Sequence, residues 1–258
     1  MKVAILAGGF GTRLSEETSV RPKPMVEIGG KPMLWHIMKM YSRHGFKDFV
    51  ILGGYKVELI REYFLNYRGH GSDFTIDLQT GDITWHDCAI EDWRVTVLDT
   101  GKDSMTGGRL RRAQQHLSDG TFCLTYGDGV SDVDITALVE QHTQSAAWCT
   151  LTAVAQPGRY GALSLNHSHT RVEGFREKGP KDGGVINGGF FVCEPKVFDL
   201  IDDDYTVWEN EPMIRLVERG LLGSYHHRGY WQSMDSLRDK AVLEEAWATG
   251  APWKTWTE

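Results

Sequence analysis

The sequence lacks the features of a membrane, secreted or nucleic-acid-binding protein. No apolar run approaches the ~18 residues of a membrane-spanning helix. The first strand-like run begins at Lys2 and leaves no room for a basic segment followed by an apolar stretch. We therefore expect a cytoplasmic protein without a membrane partner. Blocks of lysine or arginine are absent, and 28 basic residues face 35 acidic ones, for a net charge of −7. This balance argues against a nucleic-acid partner but allows a pocket with a few focused cations.

Cysteine is scarce, and its spacing excludes the common cysteine-based frameworks. The four cysteines form no Cys-x-x-Cys pair, and Cys123, Cys149 and Cys193 lie inside apolar, strand-like runs, with Cys88 elsewhere. We expect buried free thiols. The ten histidines are scattered, which does not favour a zinc site. No internal repeat and no linker rich in proline, glycine or serine divides residues 1–258, so we expect a single domain.

The chain instead carries an alternating α/β pattern. Leu34, Ile37, Met38 and Tyr41 have helical spacing and predict a helix over 32–44. Further strands are predicted at 3–6, 49–52, 95–98, 122–126, 149–155, 162–165, 171–175, 185–193 and 222–227. Further helices are predicted at 57–66, from 107, at 134–144 and 196–201, from 212, and at 236–247. The sequence predicts a Rossmann-like, mostly parallel open sheet with helices on both faces and inserted β-hairpins.

One segment departs from this alternation. Between residues 68 and 97 the pattern changes to short alternating pieces joined by Thr80-Gly81-Asp82, which is typical of a β-hairpin. An excursion of this kind makes an accessory flap or a subunit contact, and we expect it to contribute to an oligomer.

The first strand ends in a glycine-rich stretch, Gly8-Gly9-Phe10-Gly11-Thr12-Arg13. Three glycines in four positions allow a tight turn that presents main-chain N–H groups to an anion, and the arginine adds a planar cation. The stretch lacks the third glycine of the dinucleotide fingerprint and the Gly-Lys-Ser/Thr of the ATP-type P-loop. From these residues alone, it is either a phosphate-binding loop or a simple turn.

Two later features favour phosphate binding. In Arg21-Pro22-Lys23-Pro24 the two prolines fix the backbone on both sides of Lys23 and hold the lysine rigidly. Asp128, flanked by glycines, follows the predicted strand 122–126. Ligands of open α/β sheets bind beyond the carboxyl ends of the strands, so the glycine loop, Lys23 and Asp128 are expected to meet there.

With these residues in place, the sequence resembles the sugar-1-phosphate nucleotidyltransferases, and within them the cytidylyltransferases that act on glucose 1-phosphate. The resemblance begins with Leu6 to Leu14 followed by Arg21-Pro22-Lys23-Pro24-Met25, and it covers essentially the whole chain. Its further motifs are Ser104-Met105-Thr106-Gly107-Gly108-Arg109-Leu110, Tyr126-Gly127-Asp128-Gly129, Pro157-Gly158-Arg159-Tyr160-Gly161-Ala162-Leu163, Ile186-Asn187-Gly188-Gly189-Phe190-Phe191, Trp231-Gln232 with Met234-Asp235-Ser236-Leu237-Arg238-Asp239, and Ala251-Pro252-Trp253-Lys254-Thr255-Trp256.

The resemblance implies a nucleotide site, a Mg²⁺ site and a sugar-phosphate site. The implied nucleotide-binding residues are Leu6, Ala7, Gly8, Gly9, Gly11, Thr12, Arg13, Lys23, Ser104, Arg109 and Asp128, with Arg13 and Lys23 also catalytic. The implied metal ligands are Asp128 and Asp235, a pair that suits Mg²⁺ because this ion binds one or two carboxylates together with phosphate oxygens. The implied sugar-phosphate residues are Gly161, Glu177, Lys178, Asn187 and Trp231, much of that site being formed by 157–193.

The expected reaction is in-line attack of glucose 1-phosphate on the α-phosphorus of CTP. It gives CDP-glucose and pyrophosphate without a covalent intermediate, and the product would serve as a precursor of deoxysugars and of polysaccharides such as the O-antigen of lipopolysaccharide. The resemblance also implies a homo-oligomer. Gly179 and Ser233 stand where the family usually has proline, which leaves the sugar identity open.

Three alternatives remain at this stage. The first is the same chemistry with UTP, dTTP or GTP, or with another sugar 1-phosphate. The second is a non-catalytic, nucleotide-sensing subunit. The third is a glycosyltransferase, which would be expected to carry an Asp-x-Asp metal motif. Asp132-Val133-Asp134 matches this motif in sequence but lies after the strand-end loop and not at it.

Overall fold

The structure is a computed structural model that describes residues 1–86, 90–155 and 184–256 in full, and the main chain of 162–165 and 172–176. The strands are β1 Lys2–Ala7, β2 Glu27–Ile28, β3 Lys31–Pro32, β4 Asp48–Gly53, β5 Asp73–Ile76, β6 Ile83–His86, β7 Arg94–Asp99, β8 Phe122–Tyr126, β9 Gly129–Ser131, β10 Cys149–Ala155, β11 Ala162–Leu165, β12 Val172–Arg176, β13 Val185–Cys193, β14 Leu222–His227 and β15 Trp231–Ser233. The α-helices are α1 Ser15–Thr18, α2 Met33–Arg43, α3 Val57–Leu65, α4 Tyr67–Gly71, α5 Thr106–Arg112, α6 Gln114–Leu117, α7 Ile135–Thr143, α8 Glu211–Glu218 and α9 Leu237–Ala248.

A seven-stranded sheet organises the fold, in the order β14-β10-β13-β8-β1-β4-β7. Strands β8, β1, β4 and β7 run parallel, as do β10 and β14, whereas β13 is antiparallel to both of its neighbours. The apolar run of β1 is almost completely buried, as expected of a central parallel strand covered on both faces. The predicted mostly parallel sheet is therefore confirmed.

Helices cover both faces of this sheet. Val3 and Ile5 of β1 point into one apolar core, which contains side chains of α2, α7 and α9. Ala4 and Leu6 point into the opposite core, which contains side chains of α5, α6 and α8. The alternation follows from the two-residue period of a strand, and it confirms the predicted layers.

The elements differ from the sequence prediction where they are short, and the helices α1 Ser15–Thr18 and α4 Tyr67–Gly71 were not predicted. The segment predicted as a helix over 196–201 is a 3₁₀ helix, Pro195–Leu200, in which Val197 and Leu200 are buried three residues apart. That spacing suits the three-residue turn of a 3₁₀ helix. The short pairs β2–β3 and β9–β15 were not predicted, because strands of two or three residues carry no periodicity to read.

The predicted hairpin is present as β5–β6, in which Phe74 and Ile83 are 48% and 45% exposed. Next to it along the chain, β7 forms an edge of the large sheet. Cys123, Cys149 and Cys193 are buried free thiols, as predicted, and Cys88 lies outside the described residues. Within the described part of the chain, none of the helices is long and apolar enough to span a membrane.

Candidate active site

A cavity of about 560 Å³ lies beyond the carboxyl ends of β1 and β8. The residues around it include most of those predicted to bind the nucleotide, namely Leu6, Ala7, Gly8, Gly9, Gly11, Lys23, Ser104, Arg109 and Asp128. The parallel pairing of β1 with β8 places the glycine loop beside the loop that carries Asp128. The structure thus brings together residues that the sequence separates by more than a hundred positions.

The glycine loop is fastened from several sides. Gly11 adopts a left-handed conformation with φ 64°, which favours glycine, and Thr18 Oγ1 donates a hydrogen bond to its carbonyl at 3.0 Å. Tyr55 contributes twice, because its main-chain N–H donates to Gly8 O at 3.2 Å and its hydroxyl donates to Thr18 O at 3.0 Å. These contacts hold the loop in one shape.

Arg109 lies buried beneath this loop rather than in the open part of the cavity. Its Nη1 donates to Gly101 O at 2.6 Å and to Thr100 Oγ1 at 3.0 Å, and its Nη2 donates to Lys102 O at 3.1 Å. A Cβ on Gly8 would stand 2.2 Å from Nη1, so only glycine fits above the guanidinium. Burial lowers the pKa of Arg109 from its ordinary value. Direct binding of the nucleotide by Arg109 stays a prediction.

Lys23 connects the two predicted metal ligands. Its Nζ lies 2.6 Å from Asp128 Oδ2 and 2.8 Å from Asp235 Oδ1. Burial alone would lower the pKa of Lys23, but the charges and hydrogen bonds of the two carboxylates outweigh it, so this pKa is raised. Burial would raise the pKa of Asp235, whereas hydrogen bonds from Lys23 and Ser233 lower it below its ordinary value. The ammonium and the Asp235 carboxylate are thus mutually stabilised in their charged forms.

The same carboxylate pair fits Mg²⁺ by its chemistry. Both side chains reach one atom, the Lys23 nitrogen, so a single small cation can lie within reach of both. In the described part of the chain no cluster of three or more His, Cys, Asp or Glu side chains has the arrangement of a complete metal site. Mg²⁺ is commonly held by one or two carboxylates with phosphate oxygens and water, so two protein ligands suffice.

A second cavity, of about 700 Å³, adjoins the first and shares Thr106, Tyr126 and Asp128 with it. Asn187 and Trp231, both predicted to bind the sugar phosphate, line this second cavity. Gly161, Glu177 and Lys178, predicted for the same site, lie outside the described residues.

Arg13 and Asp235 also line the second cavity. A smaller space of about 210 Å³, lined by Gly11, Thr12, Arg13, Lys23 and Asp235, lies on the same side of the loop. The two cavities meet at Asp128, so two ligands could bind side by side with this carboxylate between them.

Sequence reasoning missed three residues that line the second cavity. Tyr126 and Thr106 occur inside the motifs quoted above but carried no role, and Glu209 was not singled out. The Glu209 carboxylate accepts hydrogen bonds from the Tyr126 hydroxyl at 2.6 Å and from Thr106 Oγ1 at 2.7 Å. Only the fold brings Glu209 next to the motifs, so no local pattern could have indicated it.

The Asp132-Val133-Asp134 stretch is engaged in structural contacts. Asp132 Oδ1 lies 2.9 Å from His227 Nε2, and Asp134 caps α7 by accepting a hydrogen bond from Ala137 N at 3.0 Å. Neither carboxylate lines the two cavities described above, so this stretch does not contribute to the candidate site.

Comparisons with known proteins show the family and the fold of the chain. The profile of the Nucleotidyl transferase family matches residues 2–248. Glucose-1-phosphate cytidylyltransferase of Salmonella typhimurium is 55% identical over 258 residues, covering 99% of this chain and 100% of that protein. Mannose-1-phosphate guanyltransferase of Yarrowia lipolytica is 31% identical, covering 93% of this chain and 62% of that protein. The crystal structure of HddC from Yersinia pseudotuberculosis superposes with a TM-score of 0.69 at 23% identity, covering 95% and 99% of the two chains, which shows the shared fold. The chain belongs to the nucleotidyl transferase family.

Proposed function

We propose that the protein transfers a cytidylyl group from CTP to α-D-glucose 1-phosphate, releasing pyrophosphate and CDP-glucose. The observation that carries the proposal is the pair of adjoining cavities that meet at Asp128, with Lys23 and Asp235 beside it. The name of the Salmonella typhimurium relative, at 55% identity over the whole chain, supports CTP and glucose 1-phosphate as the substrates.

The first cavity would hold CTP, and the second would hold the hexose 1-phosphate. Main-chain N–H groups of the glycine loop would bind the triphosphate in the first cavity, and the Arg13 guanidinium would reach it from the side of the second, since both are donors suited to phosphate oxygens. Ser104 would lie near the cytidine end, and Arg109 would support the loop from below. Asn187 and Trp231 would contact the hexose 1-phosphate, together with the predicted Gly161, Glu177 and Lys178.

Alignment and charge neutralisation account for the catalysis. The sugar phosphate is already ionised near neutral pH, so its oxygen can attack the α-phosphorus in line without a general base or a covalent intermediate. Arg13 and Lys23 would neutralise the charge that builds up as pyrophosphate leaves. Asp128 and Asp235 would hold Mg²⁺, which supplies additional charge neutralisation on the phosphates when bound.

Lys23 can contact a phosphate while it remains beside its two carboxylates. Its ammonium has three N–H donors, of which two are directed at Asp128 and Asp235. The third would form a charge-assisted hydrogen bond with a phosphate oxygen. Movement of Lys23 toward the phosphates would also free carboxylate oxygens for the metal.

We also propose a homo-oligomer of single-domain subunits, with the 68–97 excursion as a subunit contact. Apolar side chains on and beside hairpin β5–β6 are exposed, including Phe74, Leu78 at 88% and Ile83. Exposed apolar residues that cluster on one element are typical of an interaction surface. The cytoplasmic location stays a prediction of the sequence.

A pyrophosphate-release screen tests the proposed reaction directly. CTP, UTP, dTTP and GTP are each offered with a panel of hexose 1-phosphates, with Mg²⁺ present or removed by chelation. We expect release with CTP and glucose 1-phosphate, and loss of that release without the metal. Preference for another nucleotide would identify a sister activity, whereas nucleotide binding without any release would indicate the non-catalytic sensing subunit.

A further inference from the structure

A branched set of hydrogen bonds runs along the second cavity and ends on Glu209. On one branch Gly189 N–H donates to Asn187 Oδ1 at 2.9 Å, Asn187 Nδ2 donates to the Tyr126 oxygen at 3.3 Å, and the Tyr126 hydroxyl donates to Glu209 Oε1 at 2.6 Å. On the other branch Trp208 N–H donates to Thr106 Oγ1 at 2.9 Å, and that hydroxyl donates to Glu209 Oε2 at 2.7 Å.

The chemistry of the outer groups fixes the direction of both branches. A main-chain N–H can only donate, so Gly189 requires an acceptor and turns the Asn187 oxygen toward itself. The Asn187 nitrogen then faces Tyr126, which leaves the phenol O–H to point at Glu209. Along the second branch Trp208 N–H occupies a lone pair of Thr106, and the Thr106 O–H points at the other oxygen of Glu209. An ionised carboxylate, which only accepts, is the group that can end both branches.

The packing around Tyr126 keeps the first branch in place. Gly189 has a φ of 79°, and a Cβ there would stand 2.4 Å from a ring carbon of Tyr126, so the loop lies directly against the ring. Burial, and then the neighbouring Glu209 carboxylate, raise the pKa of Tyr126, which keeps its proton available to donate.

The fixed orientation of the Asn187 amide determines which group it presents to the second cavity. Asn187 has two N–H groups on Nδ2, and the one not used by Tyr126 is available to the cavity that Asn187, Tyr126 and Glu209 line together. Rotation of the amide would replace this donor with an oxygen acceptor. A hexose hydroxyl that accepts a hydrogen bond needs the amide in its present orientation.

We propose that Glu209 is a positioning residue for the hexose 1-phosphate, acting through Tyr126 on the amide of Asn187. This inference rests on the proposed function, since it takes the second cavity to be the sugar-phosphate site. Glu209 is the terminal acceptor of this series of hydrogen bonds. Thr106 holds its second oxygen, so that the carboxylate cannot turn away from Tyr126.

The test compares three variants: Glu209→Gln, Tyr126→Phe and the double variant. In Glu209→Gln an amide N–H₂ replaces one oxygen, so one branch loses its acceptor. We expect each single variant to raise the KM for glucose 1-phosphate about tenfold, the scale of one lost hydrogen bond to a charged group. The kcat and the KM for CTP should change little. The double variant should show the same increase in KM of about tenfold, because both substitutions interrupt the same series of hydrogen bonds.

Glu211→Gln is the matched control, since it makes the same chemical change at an exposed position two residues away. The inference would be overturned if Glu209→Gln behaved like this control. It would also be overturned if the double variant raised KM by the product of the single effects, which would indicate a direct contact of Glu209 with the sugar. A purely structural role would lower the melting temperature and leave KM unchanged, and this too would contradict it.

Two further outcomes distinguish a failure of this inference from a failure of the proposed function. If Glu209→Gln failed to fold, as judged by circular dichroism, an unchanged KM in Tyr126→Phe would still contradict the inference. If the wild-type protein released no pyrophosphate from CTP with glucose 1-phosphate, the proposed function would fail, and the same variants would then be compared on the substrate pair that the screen identifies.

Discussion

At the scale of single residues, Lys23 pairs with two carboxylates at once. Its ammonium neutralises two carboxylates that would otherwise repel one another, and Pro22 and Pro24 hold the main chain on either side. The side chain is only 14% exposed, so its interactions are weakly screened by solvent. The same residue thus stabilises the free protein and lies where the reacting phosphates would arrive.

Replacing Lys23 by alanine, or Asp128 by asparagine, should reduce kcat by about 10² to 10³, the usual effect of removing one preorganised charge contact. Circular dichroism should show an intact fold. Lys47→Ala serves as the control, because Lys47 also pairs with an aspartate, Asp92, but at an exposed surface position. Steady-state kinetics with saturating CTP and glucose 1-phosphate provide the measurement, and near-wild-type turnover in either site variant would remove the role assigned to that residue.

Two neighbouring glycines allow a matched test of the loop. A Cβ at Gly8 would stand 2.2 Å from the Arg109 guanidinium, which is held by hydrogen bonds to main-chain carbonyls and cannot easily move, whereas a Cβ at Gly9 meets nothing within 4 Å. Gly8→Ala should lower the free energy of unfolding by about 1–3 kcal/mol, the usual cost of overpacking. Gly9→Ala should leave it nearly unchanged. Urea denaturation without nucleotide measures both, and equal effects would contradict the packing described for Arg109.

At the scale of elements, α2 is attached to the β2–β3 turn through a buried histidine. His36 is fully buried, and its Nε2 lies 2.8 Å from Ile28 O. Burial, opposed in part by hydrogen bonds to Ile28 and Lys31, lowers the pKa of His36 from 6.5 to about 4. The folded protein therefore requires this imidazole to be neutral.

The stability of the protein should consequently fall in mild acid. Between pH 6.5 and 4 the unfolded chain binds a proton at His36 that the folded chain does not, so the free energy of unfolding decreases as the pH falls. The full contribution is about 3 kcal/mol. In His36→Gln, which cannot titrate, this part of the pH dependence should disappear, whereas His70→Gln, at an exposed position, should retain it. Urea denaturation at pH 7, 5.5 and 4.5 measures how the free energy of unfolding changes with pH in each variant. An equal change in the two variants would contradict the prediction.

The sequence predicted the elements well where periodicity is strong. Helix α2, predicted over 32–44, is present as Met33–Arg43, and the hairpin and the long strands lie where expected. The pairing of β9 with β15 was not predicted, although it places Met234 N 2.8 Å from Asp128 O and so brings Asp235 to the site. Likewise Arg109 was predicted from a motif, whereas its burial under Gly8 and the partnership of Tyr126 with Glu209 depend on contacts between distant segments.

At the scale of the whole molecule, one part of the surface exposes several apolar side chains. Hairpin β5–β6 presents apolar side chains to solvent, and Ile76 and Ile83 lie opposite each other across its two strands with 41% and 45% of their surfaces exposed. Strand β7 lies at the edge of the large sheet, and among the described residues no further strand pairs with its outer side, so main-chain groups there are available for a neighbour. Both features suit contact with a second copy of the chain.

Ile83→Asp should therefore shift the proposed homo-oligomer toward smaller species, because a buried unpaired carboxylate would oppose association. Ile214→Asp is the control, since Ile214 is 56% exposed on α8, far from the hairpin in sequence. Sedimentation velocity over a range of protein concentrations measures the effect. A monomeric wild-type protein, or identical sedimentation of the two variants, would contradict the proposed subunit contact.

The position of Arg109 also bears on the thermodynamics of ligand binding. Its guanidinium holds the main chain of the Gly101–Lys102 turn while packing against Gly8, so the walls of the first cavity are ordered before any nucleotide arrives. Little conformational entropy is then left to lose on association. Calorimetric titration should accordingly record a small entropic penalty for CTP binding. In Arg109→Lys, where the cavity wall beneath the glycine loop is held less firmly, CTP should bind with a similar enthalpy but a larger entropic cost.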